Sequence, residues 1–305
     1  MANNARITRG SAPRVLQLGL DKLLDDLKDQ YIGKGDSIFT EIKTEKAYFE
    51  LMKLAGMGVA ALKDEGEAIT FDSIDQAWVY RVPVYDYEKS ARITRNMIKD
   101  NLYEDLLPRI AKEQMKGINT NRDIIQANIF NRAETSGVTY GDKSVLLATD
   151  HALQAGGTNA NKSTSDADLS EDSLEALKIV ADAMLNDDGI LGDYELQDLL
   201  IPSALQFEAH RILKSMGRVA TTDNDTNALK DMGIVRSVIM WKRLTDSDAY
   251  FLTTQCEDGL ILARREGIFT QTAQDSDTYD TKLSACERFA ITVGKHQAVV
   301  GSMGA

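Results

Sequence analysis

The stretch from Thr94 to Arg132, TRNMIKDNLYEDLLPRIAKEQMKGINTNRDIIQANIFNR, constrains this chain more than any other. Leu107, Ala111, Met115, Ile118, Ile125 and Ile129 recur at steps of three, four or seven, which places them on one face of a 3.6-residue period. Arg109, Lys112, Lys116 and Asp123 fall outside that stripe. Asn101 with Glu104 resembles a capping box, and Pro108 would then kink the second turn. The alternative is a short helix over residues 94–100 and a long one starting at Pro108, a favoured first helical position. Even that shorter version runs ~25 residues, or ~37 Å. Gly117 inside it costs roughly 1 kcal/mol relative to alanine, so something must pack closely there. Ser136-Gly137 supplies a stop. The pattern fits a long core helix, or a strut to which the other parts of a flat subunit attach.

Ahead of the helix, Pro13 opens an amphipathic segment with Leu16, Leu20, Leu23, Leu27 and Tyr31 on one face. Arg6 and Arg9 precede it and Arg14 lies at its start, with no acidic residue before Asp21, so this arm suits an acidic partner or is a solvated terminus. Residues 36–44 read as a short β segment and 45–54 as helical. Residues 55–76 are rich in glycine and small side chains. Alternation follows: Trp78, Tyr80, Val82 and Val84 face one way, Val79, Arg81 and Tyr85 the other. Pro83 confines that strand to an edge or a bulge. With residues 68–71 it predicts a long two-stranded projection, which must lie on a neighbour because an isolated hairpin is marginal in water.

Downstream, residues 137–169 form a long surface stretch, and Ser170 caps a helix carrying Leu174, Leu177, Ala181 and Met184. A second helix follows Pro202, with Leu205, Ala209, Ile212 and Met216 as its buried stripe. Strands are expected over 234–241, 249–254 and 259–265, and the chain closes on one long strand bent around Gly294. Helices mixed with antiparallel strands indicate an α+β class.

Net charge is −12 over 305 residues, which argues against a basic groove that grips nucleic acid. No apolar run approaches ~18 residues, so no membrane span is expected, and the N-terminus lacks the apolar core of a signal peptide. Cys256 and Cys286 form neither a CxxC pair nor a disulfide framework and read as buried reduced thiols. His151, His210 and His296 are far apart and share no metal spacing. Asp150-His151 lies near Ser144, but nothing resembles a nucleophile elbow. Gly33-Lys34-Gly35 has Ile38 where a dinucleotide fingerprint wants glycine. The run from Asp223 to Asn227 mimics a calcium loop, then fails at Ala228 and Ile234. By elimination the chain is a structural or binding protein, with no catalytic residue, cofactor or metal expected.

The order of parts resembles the major capsid proteins of tailed bacteriophages with the Hong Kong 97 fold. Segments that carry the resemblance are ITRNMIKDNLY before the long helix, LLATDHALQAGGTNAN after it, LLIPSALQFEAHRIL, DGLILARRE and YDTKLSACERFAITVGKHQAVVGS. The resemblance implies an N-terminal arm over 1–35 and an extended β-hairpin loop over 50–90. It implies a peripheral domain with a spine helix over 36–49, 91–170 and 259–295, and an axial domain over 171–258 and 296–305. Assembly contacts are then expected from Trp78, Tyr80 and Tyr85 in the loop and from Arg6, Arg9 and Arg14 in the arm. The implied partners are other copies in hexamers and pentamers, a separate scaffolding protein, a portal, and a decoration or cement protein. The shell encloses double-stranded DNA without reading its sequence, after synthesis and assembly in the host cytoplasm. Lys63 lies where one family member cross-links, without the asparagine and glutamate that chemistry needs. The same fold builds encapsulin nanocompartments, so a shell around an enzyme is the first alternative, and an acidic cytosolic enzyme with its site on 137–169 the second.

Overall fold

The structure, a computed structural model, describes residues 33–54, 76–99, 106–215 and 227–305, together with 59–60, 62–66, 68, 71 and 217. The amphipathic segment over 11–31, the Asn101–Glu104 box and the 223–226 run lie outside the described residues, as does the Leu107 side chain. Two four-stranded sheets organise the rest. In the first, β1 (Thr40–Lys43), β10 (Leu260–Gln274), β11 (Thr281–Val293) and β4 (Tyr85–Ile93) lie in that order, with β1 parallel to β10 and the others antiparallel. The second has the order β12 (Val299–Ser302), β9 (Tyr250–Thr254), β7 (Leu196–Ile201), β8 (Ser237–Met240), and only β7 and β8 run parallel. A separate hairpin pairs β2 (Tyr48–Leu54) with β3 (Gln76–Pro83), and β5 (His151–Ala152) pairs with β6 (Thr158–Asn159).

The helical stretch divides into α1 (Arg95–Lys99) and α2 (Leu106–Asn131). Ala111, Met115, Ile118 and Ile129 are buried, as the periodicity predicts. The buried face also carries Gln114, Asn119, Arg122 and Gln126, a polar row the apolar stripe does not announce. Gly117 is explained by close approach: a Cβ there would meet Lys89 Cδ at 2.8 Å.

Three more helices follow: α3 (Glu171–Asp182), α4 (Gln206–Lys214) and α5 (Ala228–Asp231). Ser170 caps α3 through a reciprocal box with Ser173. The second sheet is covered on both faces. Leu200, Phe251 and Val299 join one core with Phe130, Trp241 and Phe289. Leu199, Ile201, Leu252 and Val300 join the other, against Leu174 and Leu177 of α3 and Ala209 and Ile212 of α4. Phe130 sits at the hub of the first core, edge-on to Phe251 at 5.1 Å and to Trp241 at 5.7 Å.

Three sequence expectations are corrected. Residues 48–54 are a strand, not a helix, because pairing with 76–83 buries Phe49 and Leu51 and overrides local propensity. That strand, and not residues 68–71, is the partner of β3. Cys256 and Cys286 are free but only half-buried. The bend at Gly294 is present: a Cβ would sit 2.1 Å from the Asp258 carbonyl, and beyond it the chain leaves the first sheet for the second. Among the described residues no helix is long and apolar enough to cross a membrane.

Candidate assembly surface

Strand alternation decides which hairpin side chains are available to a partner. The pairs Phe49–Val82, Leu51–Tyr80 and Lys53–Trp78 share one face, and it turns inward. Phe49, Leu51, Val82 and Val84 pack on Ile261, Ala263 and Ala290. Trp78 lies on Gly141 so closely that a Cβ there would be 2.1 Å from Trp78 Cη2, and Tyr80 Oη donates to the Thr139 carbonyl at 3.4 Å. Lys53 is buried beside them, 2.8 Å from Asp187 Oδ1 and 5.6 Å from the centroid of the Trp78 ring. Trp78 and Tyr80 therefore meet partners within their own subunit, contrary to the expectation that only a neighbour can cover them. The outer face carries Met52 opposite Val79, both exposed, and the Arg81–Glu50 ion pair at 3.0 Å over the Tyr48 ring. Tyr85 is exposed too, but it lies on β4 opposite Phe289. Val59, Leu62 and Phe71, between the two strands, are almost fully exposed.

Arg6, Arg9 and Arg14 lie outside the described residues. Just after that segment, residues 33–39 are fastened to α2. Arg122 Nε and Nη2 donate to the two Asp36 oxygens at 3.0 and 2.9 Å, and Gln126 Nε2 adds a third bond at 3.1 Å. Arg122 Nη1 reaches both oxygens of the fully buried Glu287 at 2.7 and 2.8 Å, and Arg264 Nη1 approaches the same carboxylate at 3.2 Å. Burial pushes the Asp36 carboxyl up, but the Arg122 hydrogen bonds and charge outweigh it and hold it below the ordinary value. Gly35 is required here, because the Gln126 side chain occupies the place of a Cβ. Residues 33–39 are thus fixed on α2 by buried ion pairs.

Two histidines that share no spacing in sequence meet in space. The His151 and His296 rings stack with centroids 4.1 Å apart and planes within 4°. His151 Nδ1 lies 2.6 Å and His296 Nδ1 3.5 Å from Asp142 Oδ2, and both rings are buried. Asp150, the sequence neighbour of His151, is exposed, and the carboxylate that meets the ring belongs to Asp142. His210 is exposed on α4. Position in sequence could not reveal this cluster, since Gly294 has to fold the C-terminal segment back first.

A family model described as phage capsid protein matches residues 79–301. The chain belongs to the phage capsid protein family. No curated protein matches it. Solved structures similar to this capsid protein include the capsid of cyanophage P-SCSP1u, at 10% identity and TM-score 0.56 over 88% of this chain and 86% of that one. A virus-like particle from Pyrococcus furiosus is similar at 12% identity and TM-score 0.54, covering 93% and 98%. The procapsid of bacteriophage JBD30 is similar at 11% identity and TM-score 0.52, covering 95% and 74%. At these identities the likeness is one of fold. That fold is the α+β Hong Kong 97-like capsid fold, with α2 as its spine helix and β2–β3 as the base of its extended loop.

Proposed function

We propose that this capsid protein is the major subunit of an icosahedral phage head, assembling as hexamers and pentamers around double-stranded DNA. The observation that carries this reading is the family match over 79–301, on a chain of which 88% aligns with a solved phage capsid. Residues 1–35 are assigned to an arm and 50–90 to the extended loop. The first sheet with α2 is assigned to a peripheral domain and the second sheet to an axial one. The exposed Met52–Val79 step, Leu62 and Phe71 supply apolar surface that a neighbouring subunit would cover. Trp78 and Tyr80 then position the loop, Tyr85 remains free for contact, and Arg6, Arg9 and Arg14 engage an acidic inner partner such as a scaffolding protein. Portal and decoration proteins complete the partner set. A net charge of −12 suits an inner wall that does not grip the genome. No enzymatic role is assigned.

A shell around a protein cargo is the second reading, favoured by the likeness to a virus-like particle over nearly the full length of both chains. Full-length protein produced with and without the products of neighbouring genes, then imaged in negative stain, tests both. Closed icosahedral shells are expected, with nuclease-protected DNA when the packaging genes are present. Shells holding a protein cargo and no DNA support the second reading, and monomers under every condition overturn both.

A further inference from the structure

The Asp142–His151–His296 cluster has ligand-type atoms within 4.8 Å of one another, which invites a metal. Its hydrogen bonds point elsewhere. Asn161 is fixed by what it touches: Nδ2 donates to the carbonyls of Leu146, Val299 and His296, and Oδ1 accepts from Ala148 N at 2.9 Å. The atom facing His151 Nε2 at 3.2 Å is therefore an acceptor, and Nε2 must carry a proton. His151 Nδ1 faces Asp142 Oδ2, and Asp142 also receives Ser144 N at 3.1 Å. Burial pushes the Asp142 carboxyl up, but the hydrogen bond from His151 and the His296 ring outweigh it and hold it far below the carboxylate range.

The same logic gives His296 the opposite state. Asn159 Oδ1 accepts from Leu185 N at 3.0 Å and its Nδ2 donates to Leu185 O at 2.7 Å, so its orientation is fixed. Nδ2 then faces His296 Nε2 at 3.3 Å as a donor, and that nitrogen must be bare. The single proton of a neutral ring sits on Nδ1, toward Asp142. A nitrogen that keeps its proton has no lone pair for a metal. Rings parallel within 4° also aim their nitrogens side by side rather than at one point.

We propose that Asp142, His151 and His296 form a proton-set clasp: a buried carboxylate shared by two stacked histidine rings, with His296 neutral. It fastens the segment after the spine helix to the crossover between the two sheets and opens when His296 takes a second proton. Asn161 ties the two sides together, since its amide bonds both to Leu146 and to Val299. A second proton would set Nε2–H against the Asn159 donor. Around His296 the other charged groups are Asp142, His151 and Lys53, the last paired with Asp187. Burial pushes His296 down to about 4, with Asp142 pulling back and the His151 and Lys53 charges adding to the fall. The folded value thus lies below the ordinary 6.5, so the contribution is whole above 6.5 and is lost as pH falls toward 4.

The chain has only three histidines, so selective ¹⁵N-histidine labelling of the full-length protein gives a spectrum with His210 as exposed reference. Magic-angle-spinning spectra at pH 7 are expected to show His296 with a protonated Nδ1 and a bare Nε2. A protonated Nε2 on His296, or joint shifts of both rings on adding stoichiometric zinc chloride, would overturn the proposal. Amide exchange supplies a second readout at Ala148 and Gly301, which bond to Asn161. Their protection should fall between pH 6.5 and about 4 in the native chain and should not fall in His296→Gln, which keeps an acceptor for Asn159 but cannot titrate. Equal acid opening in both would equally overturn it.

Discussion

Arg122 on the spine helix and Glu287 on β11 form a two-point ion pair at 2.7 and 2.8 Å with the carboxylate wholly buried. The same guanidinium holds Asp36, so one side chain joins residues 33–39, the helix and the first sheet. Removing it leaves two acidic groups without their main partner in low dielectric. Arg122→Ala should cost roughly 3–5 kcal/mol in urea unfolding of the soluble subunit. Glu287→Gln should cost less, about 1–3 kcal/mol, because an amide oxygen still accepts from Arg122. A native-like midpoint for Arg122→Ala would show that the network contributes little.

Trp78 and Gly141 offer a test of how the extended loop is rooted. A Cβ on residue 141 cannot coexist with the indole as placed. Gly141→Ala should lose about 1–3 kcal/mol through overpacking. In a Trp78→Ala background the same change should cost far less, and the coupling of that double-mutant cycle is the measurement. Additive losses would mean that the contact does not hold the loop.

Exposure separates folding from assembly in the loop itself. Leu62 and Phe71 are 93% and 92% exposed. Leu62→Ser with Phe71→Ser should leave subunit stability within about 0.5 kcal/mol. Yield of closed shells, counted by electron microscopy, should fall sharply. Undiminished shells would remove these residues from the assembly surface.

Charge sets the ionic-strength dependence of assembly. Subunits of net charge −12 repel one another over a screening length of ~30 Å at 0.01 M salt and ~10 Å at 0.1 M. Light scattering should show assembly accelerating between those concentrations, with divalent cations acting at lower doses. Faster assembly at the lower salt would contradict the repulsion.

Much of the architecture was legible in the sequence because periodicity records burial. The stripe on α2, the cap at Ser170, the α3 and α4 faces and the bend at Gly294 follow from local rules and stand in the structure. Alternation likewise sorted Trp78, Tyr80 and Val82 from Val79 and Arg81, and order of segments pointed to the capsid family. What the sequence could not decide was direction and company. Alternation says that a face is apolar, not whether its own subunit or another covers it, and here Gly141 and Ile261 cover it. Residues 48–54 became a strand because a partner lay 22 to 35 positions away, a pairing energy that no local window contains. Arg122 with Glu287, and His151 with His296, are separated by about half of the chain, and a buried charge looks like a surface charge until its partner is known. Those pairs exist only once α2, β11 and the turn at Gly294 have packed, so tertiary structure alone decides them.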